Sequence, residues 1–360
     1  MPFAGIRVGL VGPLPPPAGG MANQTRQLAE LLESAQAEVT LVQTNAAYRP
    51  EWAGRVPGLR ALFRLLPYLL ALWRAAGASD VLHIMANSGW SWHLFAAPAI
   101  WVARLRGVPA VVNYRGGEAA SFLQGAQRVV RKSMAATAGL LVPSAFLQEV
   151  FARFGMQAAI VPNIIDLGRF HARGGRSDQS AHLVVARNLE PIYDNASALR
   201  AFQLVHAKYP QATLTIAGSG PQESMLRALV LELDLQASVY FTGRLDRDAM
   251  AALYREADIM LNPSLADNMP NSVLESMASG VPVVSTNVGG VPYIVEDGVT
   301  ALLVAPADPQ AMAAACLRLL GDLDLWSRLQ HAGLSQVQRY TWSQVAPLLA
   351  AHYRQVIKTK

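Results

Sequence analysis

Asp267 and Glu275 are two carboxylates eight positions apart in the stretch Pro263 to Gly290, PSLADNMPNSVLESMASGVPVVSTNVGG. A turn-prone segment, Ala266 to Met269, leads into a short helix expected to open at Pro270 and to stop at Gly280. Proline at the first helical position and glycine just past the last are common helix punctuation. The helix N-terminus between the acids offers unpaired backbone N–H groups, Ser272 and Val273 among them, and the positive end of a helix dipole, which together suit a phosphate. Acids flanking an anion site must hold something other than the anion. The hydroxyl-rich sugars at the two ends of a nucleotide sugar fit that role, and the plainer alternative is a capped helix with a surface glutamate.

The elements that would position these groups alternate along the whole chain. Apolar runs at Ile6–Val11, Val39–Gln43, Asp80–Met85, Val108–Val112, Leu183–Ala186, Thr213–Ala217, Val239–Thr242 and Ile259–Asn262 read as strands, with helical stretches between them. That rhythm argues for parallel sheets covered on both faces, whose ligands lie beyond the carboxyl ends of the strands. Several further candidates occupy such ends: Gly19-Gly20 after the first strand, Arg115-Gly116 with Glu118 after the fourth, Arg187 at the start of the second half, Gly218-Ser219-Gly220-Pro221, and Gly243-Arg244. Taken alone, Gly19-Gly20 also fits an ordinary turn with glycines at positive φ, Arg187 a surface ion pair, and Arg115 a salt bridge to Glu118. No G-x-G-x-x-G follows the first strand, which argues against a nicotinamide enzyme. His83 and His93, isolated near apolar segments, read as structural.

At 360 residues the chain has room for two domains of ordinary size, and 52% hydrophobic with 15% charged residues can fill large cores. A single cysteine, Cys316, excludes an internal disulfide and a cysteine metal cage. With no apolar run of about 18 residues and no basic, apolar, small-residue leader pattern, a cytoplasmic location is expected. The net charge of +5 is concentrated in residues 1–166, where 14 Lys and Arg face 8 Asp and Glu, an excess of +6. A basic, apolar first half suggests an anionic partner. No helix-turn-helix, zinc or aromatic-platform pattern supports nucleic acid. Within Gly58–Gly77, Arg60, Arg64 and Arg74 share one arc of a helix and Leu62, Leu65, Leu66, Leu69, Leu70, Leu72 and Trp73 the other. Such a helix either packs on a sheet with a solvated arginine edge or lies in a membrane interface, and Pro67 should kink or divide it. Residues 172–180, rich in Gly, Ser, Arg and Gln, read as a linker or exposed loop.

The spacing acid, seven residues, Glu, then a small-residue helix end and PVV resembles the signature of the retaining glycosyltransferases of family 4. The resemblance implies the α/β GT-B fold: two Rossmann-like doubly wound domains facing a central cleft. It implies an acceptor-binding domain over 1–167, a nucleotide-sugar-binding domain over 168–339, and a last helix, 340–360, that crosses back to the first domain. Trp342 and Tyr353 would then be packing residues. Carried over residue by residue, Glu275 holds the ribose, Asp267 contacts the transferred hexose, and Arg187 holds the diphosphate; these three form the expected catalytic set. Gly19 and Gly20 let the backbone approach the donor phosphates and acceptor, Gly218 and Arg244 lie near the nucleobase end, and Asn268, Met269, Pro270, Asn271, Ser272 and Val273 line the donor. Arg115 and Glu118 fall on the acceptor side, where relatives commonly carry histidine and glycine. The chain departs from the family with Asp at 267, with Asn268-Met269, and with Ile192 where a second cation, Lys, is usual; Tyr193 or Asn195 could supply a neutral donor instead. The expected activity is retaining, metal-independent transfer from a nucleoside-diphosphate sugar, UDP-sugar favoured, with no cofactor. The expected acceptor is lipid-linked, in surface polysaccharide or lipopolysaccharide assembly, with the protein peripheral at the inner face of the membrane. A sugar-nucleotide epimerase and a degenerate binding or scaffold subunit remain the alternatives.

Overall fold

In the computed structural model, residues 2–16, 19–48, 56, 59–172 and 181–358 are described. The chain forms two compact units, 1–163 together with 342–360, and 164–341. These boundaries fall a few residues from the sequence-based ones. The linker expected over 172–180 lies almost wholly outside the described residues.

In the first unit, strands β1 (Arg7–Gly12), β2 (Glu38–Gln43), β3 (Val81–Ala86), β4 (Ala110–Tyr114), β5 (Gly139–Val142) and β6 (Ala159–Ile160) form one parallel sheet in the order β2-β1-β3-β4-β5-β6. Every residue of β3 and β4 is buried, because crossover helices cover both faces of a parallel sheet and the strand has no solvent side. Those helices are α1 (Gly20–Ser34), α2 (Leu59–Ala78), α3 (Ala97–Leu105), α4 (Ala119–Met134) and α5 (Ala145–Arg153). The chain places β2 on one side of β1 and β3 on the other, so the loops leaving β1 and β3 diverge and open a crevice at their carboxyl ends.

Helix α2 differs from its sequence reading in two ways. It runs unbroken through Pro67, which is exposed, so the ring meets solvent and not the core. Its leucine arc is also split. Tyr68, Leu72, Ala75 and Ala76 face the core, and Tyr68 donates to Phe95 O at 2.8 Å. Leu66 (54% exposed), Leu69, Leu70 (53%) and Trp73 (46%) face outward. The arginines do not form one solvated edge: Arg64 lies over the Tyr48 ring at 4.2 Å, and Arg74 is exposed. The side chain of Arg60 lies outside the described residues.

In the second unit the elements are β7 (His182–Val185), α6 (Asn195–His206), β8 (Thr213–Ala217), α7 (Glu223–Glu232), β9 (Val239–Gly243), α8 (Arg247–Glu256), β10 (Ile259–Asn262), α9 (Asn271–Ala278), β11 (Val283–Thr286), β12 (Leu302–Val304), α10 (Pro309–Gly321) and α11 (Leu323–Val337). The parallel sheet runs β12-β11-β10-β7-β8-β9. The chain winds outward from β7 in one direction, then returns to β10 on its other side. The switch point, and hence the crevice, lies between β7 and β10. Leu183, Val185, Phe202, Ile216, Leu261 and Trp326 fill the core beneath it. Cys316 is buried there as well, and burial pushes its thiol up to about 12.

The last helix, α12 (Trp342–Lys358), belongs to the first unit. Trp342 stacks on Phe3 with ring centroids 5.5 Å apart, and the buried Tyr353 hydroxyl lies 2.8 Å from His83 Nδ1. Both residues therefore do packing work.

Gly12 ends β1 against α1, where an added Cβ would sit 2.8 Å from Thr25 Oγ1, 3.0 Å from its Cγ2 and 3.1 Å from Met85 Cβ. Thr25 is itself fully buried. Gly12→Ala is expected to destabilise the first unit by about 1–3 kcal/mol through overpacking, seen in calorimetry as a fall of several degrees in its transition; an unchanged transition would show that α1 can retreat without cost.

Candidate active site

The loops leaving β7 and β10 bring Arg187 and Asp267 together across the switch point. Arg187 Nη2 donates to Asp267 Oδ2 at 2.5 Å, with the side chains 10% and 12% exposed. A second arginine nitrogen, Nη1, donates to Ser272 Oγ on the first turn of α9 at 3.3 Å. The Tyr193 ring lies under the guanidinium at 4.1 Å from its centroid, and Nε is buried with no partner among the described residues. Asp267 is fixed at its other oxygen, where Oδ1 accepts from Asn268 N at 3.0 Å.

Helix α9 supplies the second carboxylate. Ser272 and Glu275 are three residues apart and share a face, so the helix carries Glu275 toward the side that Arg187 touches. Burial pushes the Glu275 carboxyl up to about 7, against the opposing pull of Arg247 and Arg187. Tyr254, from α8, donates to Ser272 O at 3.3 Å, and burial followed by the nearby Glu275 charge holds its own hydroxyl protonated. A carboxyl with a pKa near neutrality can accept hydrogen bonds from ligand hydroxyls once the cations beside it favour its charged form.

The N-terminus of α9 differs in detail from the sequence expectation. Pro270 is the N-cap, with extended backbone, and Asn271 is the first helical residue. The Val273 N–H is not free: it donates to Pro270 O at 3.2 Å. Ser272 N–H makes no hydrogen bond among the described residues. The Met269 side chain is 6% exposed and packs among Val184, Tyr254, Val273 and Met277, so only its backbone faces the loop. Asn268 is likewise buried.

Glycines hold these loops in place from behind. A Cβ on Gly290 would collide with Asn268 O, and one on Gly289 with Asp267 O, while Gly290 N donates to Asp267 O at 3.0 Å. A Cβ on Gly218 would collide with Arg187 O, so Gly218 backs the arginine. Beneath the acid loop, Ser264 Oγ donates to Asn262 Oδ1 at 3.0 Å, Asn262 Nδ2 to Ser285 Oγ at 2.9 Å and Thr286 Oγ1 to Ser264 O at 2.5 Å, all fully buried. Periodicity gave no sign of this network, since serines and threonines inside a strand run look the same whether they bond inward or outward.

In the Arg187 loop, Ile192 is part of a 3-10 turn, Pro191–Tyr193. Asn195 does not stand in for a missing cation: it is buried and donates to Asn188 O at 3.0 Å. Tyr193 contributes its ring face to Arg187. Arg244 is exposed after β9, an edge strand two places from β7, apart from the cluster around α9. In the first unit, Gly19 and Gly20 precede or open α1 with extended φ at Gly19 (−163°) and nothing within 4 Å of an added Cβ at either. Neither glycine is required by positive φ. Arg115 follows β4 and bonds Gln24, Asn113 and Asn163, not Glu118, which is exposed at the N-cap of α4. Among the described residues no three His, Cys, Asp or Glu side chains are grouped to hold a metal ion.

Two family models match the chain: one described as Glycosyltransferase Family 4 over residues 18–169, and one described as Glycosyl transferases group 1 over residues 181–322. Among curated relatives, the glycogen synthase of Mycobacterium tuberculosis (strain CDC 1551 / Oshkosh) is 29% identical over 275 residues, 72% of this chain and 66% of that protein, just under two thirds of its length. The phosphatidyl-myo-inositol mannosyltransferase of Mycolicibacterium smegmatis is 27% identical over 378 residues, 98% of this chain and 94% of that protein. Among solved structures, Anabaena HepE in complex with UDP and glucose superposes with a TM-score of 0.73 at 16% identity, covering 97% of this chain and all of that one.

Glu275 predicts a pH signature. Between about 4.5, its ordinary value, and about 7, the folded chain keeps a proton that the unfolded chain has released. Stability should therefore be highest below this window and decline as pH rises through it, by at most about 1.4 kcal/mol per pH unit from this group. Glu275→Gln should remove that component in urea titrations at pH 5, 6 and 7; equal pH dependence in both proteins would mean that the carboxyl is not perturbed.

Proposed function

This chain belongs to the group 1 glycosyltransferases of family 4, with the two-domain α/β GT-B fold, and from that premise we propose that it moves a sugar from a nucleoside-diphosphate sugar to an acceptor with retention of configuration. The observation that carries the proposal is the meeting of Arg187, Asp267, Ser272 and Glu275 at the switch point of the second sheet. A leaving diphosphate gathers negative charge as the glycosidic bond breaks, and preoriented donors in a water-poor site stabilise it. Arg187 and the Ser272 N–H, which has no partner among the described residues, are such donors. Glu275, fixed on a helix, accepts the two ribose hydroxyls, and Asp267 accepts hydroxyls of the sugar. UDP is the favoured nucleotide, supported by its presence in the HepE complex.

Without donor, Asp267 occupies Arg187. Donor binding therefore exchanges partners: the diphosphate takes over part of the guanidinium, and sugar hydroxyls take over part of the carboxylate. The Tyr193 ring and Ser272 keep Arg187 aligned during the exchange. With Ile192 in place of a second cation, more of the phosphate charge falls on Arg187 and the helix N-terminus, and the proposed transfer requires no metal.

The first unit is proposed to bind the acceptor, a lipid-linked saccharide in surface polysaccharide or lipopolysaccharide assembly, with the protein peripheral at the inner face of the membrane. Support comes from α2, whose Leu66, Leu69, Leu70 and Trp73 are exposed, with the Arg106 guanidinium 4.8 Å from the Trp73 ring. An aromatic and leucine stripe beside arginines suits an anionic bilayer surface. Among the described residues no helix is long and apolar enough to cross a membrane.

UDP at 100 times its dissociation constant should stabilise the protein by about 2.7 kcal/mol, equally in EDTA and in magnesium. The shift should disappear in Arg187→Gln and weaken by at least tenfold in affinity in Glu275→Ala; no shift with UDP, GDP or ADP would overturn the donor reading. Binding should also weaken below pH 7, as Glu275 takes up the proton that ribose recognition must displace. For the membrane, flotation with phosphatidylserine-rich vesicles is expected for the wild type and lost in a Leu66→Ser, Leu70→Ser, Trp73→Ser variant. Equal flotation of both proteins would remove α2 from the argument.

A further inference from the structure

In the first unit a half-buried cation is held, among the described residues, without a counterion. Arg115 stands at the carboxyl end of β4, one strand from the β1/β3 switch point. Burial lowers its pKa to about 10, with no neighbouring carboxylate opposing the shift, so it is still charged at neutral pH. Its partners are three neutral amide oxygens: Nε donates to Asn113 Oδ1 at 3.0 Å, and Nη1 to Gln24 Oε1 at 2.7 Å and to Asn163 Oδ1. Nη2 has no hydrogen-bond partner among the described residues.

The orientation of these partners is built in from below. Because Asn113 presents its oxygen to Arg115, its amide nitrogen faces His83 Nε2, 3.1 Å away, and His83 must accept there. Burial, Arg115 and His352, in that order, push His83 down to about 3, so it is neutral and carries its proton on Nδ1, facing the Tyr353 hydroxyl at 2.8 Å. Helix α12 thus fixes His83, His83 fixes Asn113, and Asn113 fixes the guanidinium. The turn that follows Arg115 is held closely as well: an added Cβ at Gly116 would collide with Asn87. Gln24 belongs to α1, whose positive N-terminal end begins at Gly20.

A half-buried cation held only by neutral oxygens has lost part of its hydration without gaining a counterion, a cost that an anion at its open nitrogen would offset. We propose that Arg115 is the anion-recognition residue of the first unit, reading a phosphate or carboxylate carried by the acceptor. This deepens the acceptor-binding role proposed for that unit, and rests on it. Charge-assisted hydrogen bonds from a fixed guanidinium distinguish an anionic acceptor from a neutral one of the same shape.

The test uses the full chain and calorimetric titration with glycerol 3-phosphate and with glucuronate, against glycerol and glucose as neutral controls. The wild type should bind an anionic probe saturably and neither neutral one, and whichever anion binds identifies the group as phosphate or carboxylate. Arg115→Gln should weaken that binding at least tenfold and leave UDP affinity unchanged, while Arg187→Gln should do the reverse. Gln24→Glu, which offers Arg115 an internal carboxylate, should raise the melting temperature and also weaken anion binding at least tenfold; it keeps the test intact if Arg115→Gln fails to fold. Anionic probes bound equally by wild type and Gln24→Glu, or no binding to the wild type, would overturn the proposal. Loss of UDP in folded Arg115→Gln would also overturn it, by assigning Arg115 to the donor. Anion binding that survives in a protein without any nucleotide response would instead sink the transferase reading and leave the anion site standing.

Discussion

The ion pair between Arg187 and Asp267 organises the second unit around its switch point. Two charges that are about nine-tenths buried must be answered at close range, because removing them from water costs several kcal/mol per ion. The pair answers each charge with the other and adds Ser272, Asn268 N–H and the Tyr193 ring. Its members come from the loops after β7 and β10, which are neighbours in the sheet but far apart in the chain. The pair therefore exists only when the sheet is correctly ordered.

Holding it at 2.5 Å requires backbone to approach backbone, and the glycines make that possible. Gly218 lies behind Arg187, and Gly289 and Gly290 lie behind Asp267 and Asn268, each so close that a Cβ would strike a carbonyl oxygen. Below them the serine, threonine and asparagine side chains at 262, 264, 285 and 286 satisfy one another in a fully buried network. Polar groups in a low-dielectric interior either find partners or destabilise the fold, so this floor fixes the loop that carries Asp267. The site is rigid where it must present an acid and a cation.

The two units treat an arginine at a strand end in opposite ways. Arg187 is matched by a carboxylate inside its own unit, whereas Arg115 is surrounded by amide oxygens and a neutral histidine. Both stand at carboxyl ends of strands near switch points, where diverging loops leave a crevice. The difference is one of charge balance: the second unit answers its arginine with its own carboxylate, while the first surrounds its arginine with neutral groups. The exposed leucines and Trp73 of α2 extend the same contrast to the surface, since the apolar bias of the first half is partly displayed and not all packed away.

By itself the sequence determined the alternation of strands and helices, and hence parallel sheets covered on both faces, because apolar runs of strand length separated by helical stretches fit few other arrangements; the division into two doubly wound domains came from the resemblance to family 4. The sequence also marked Asp267 and Glu275, two acids flanking a helix start, while the role of Arg187 at a strand end came from the resemblance to family 4. What it could not contain was which charges meet. The Arg187 contact to Asp267 spans 80 positions and depends on strand order, and the release of Arg115 from Glu118 depends on Gln24 and Asn163 arriving from elsewhere in the fold. The exposed face of α2 was equally out of reach, because a helical wheel shows which residues share a side but not which side the sheet covers. Local pattern fixes the elements; pairing, burial and the shift of Glu275 toward neutrality belong to the packed whole, where distance through space replaces distance along the chain.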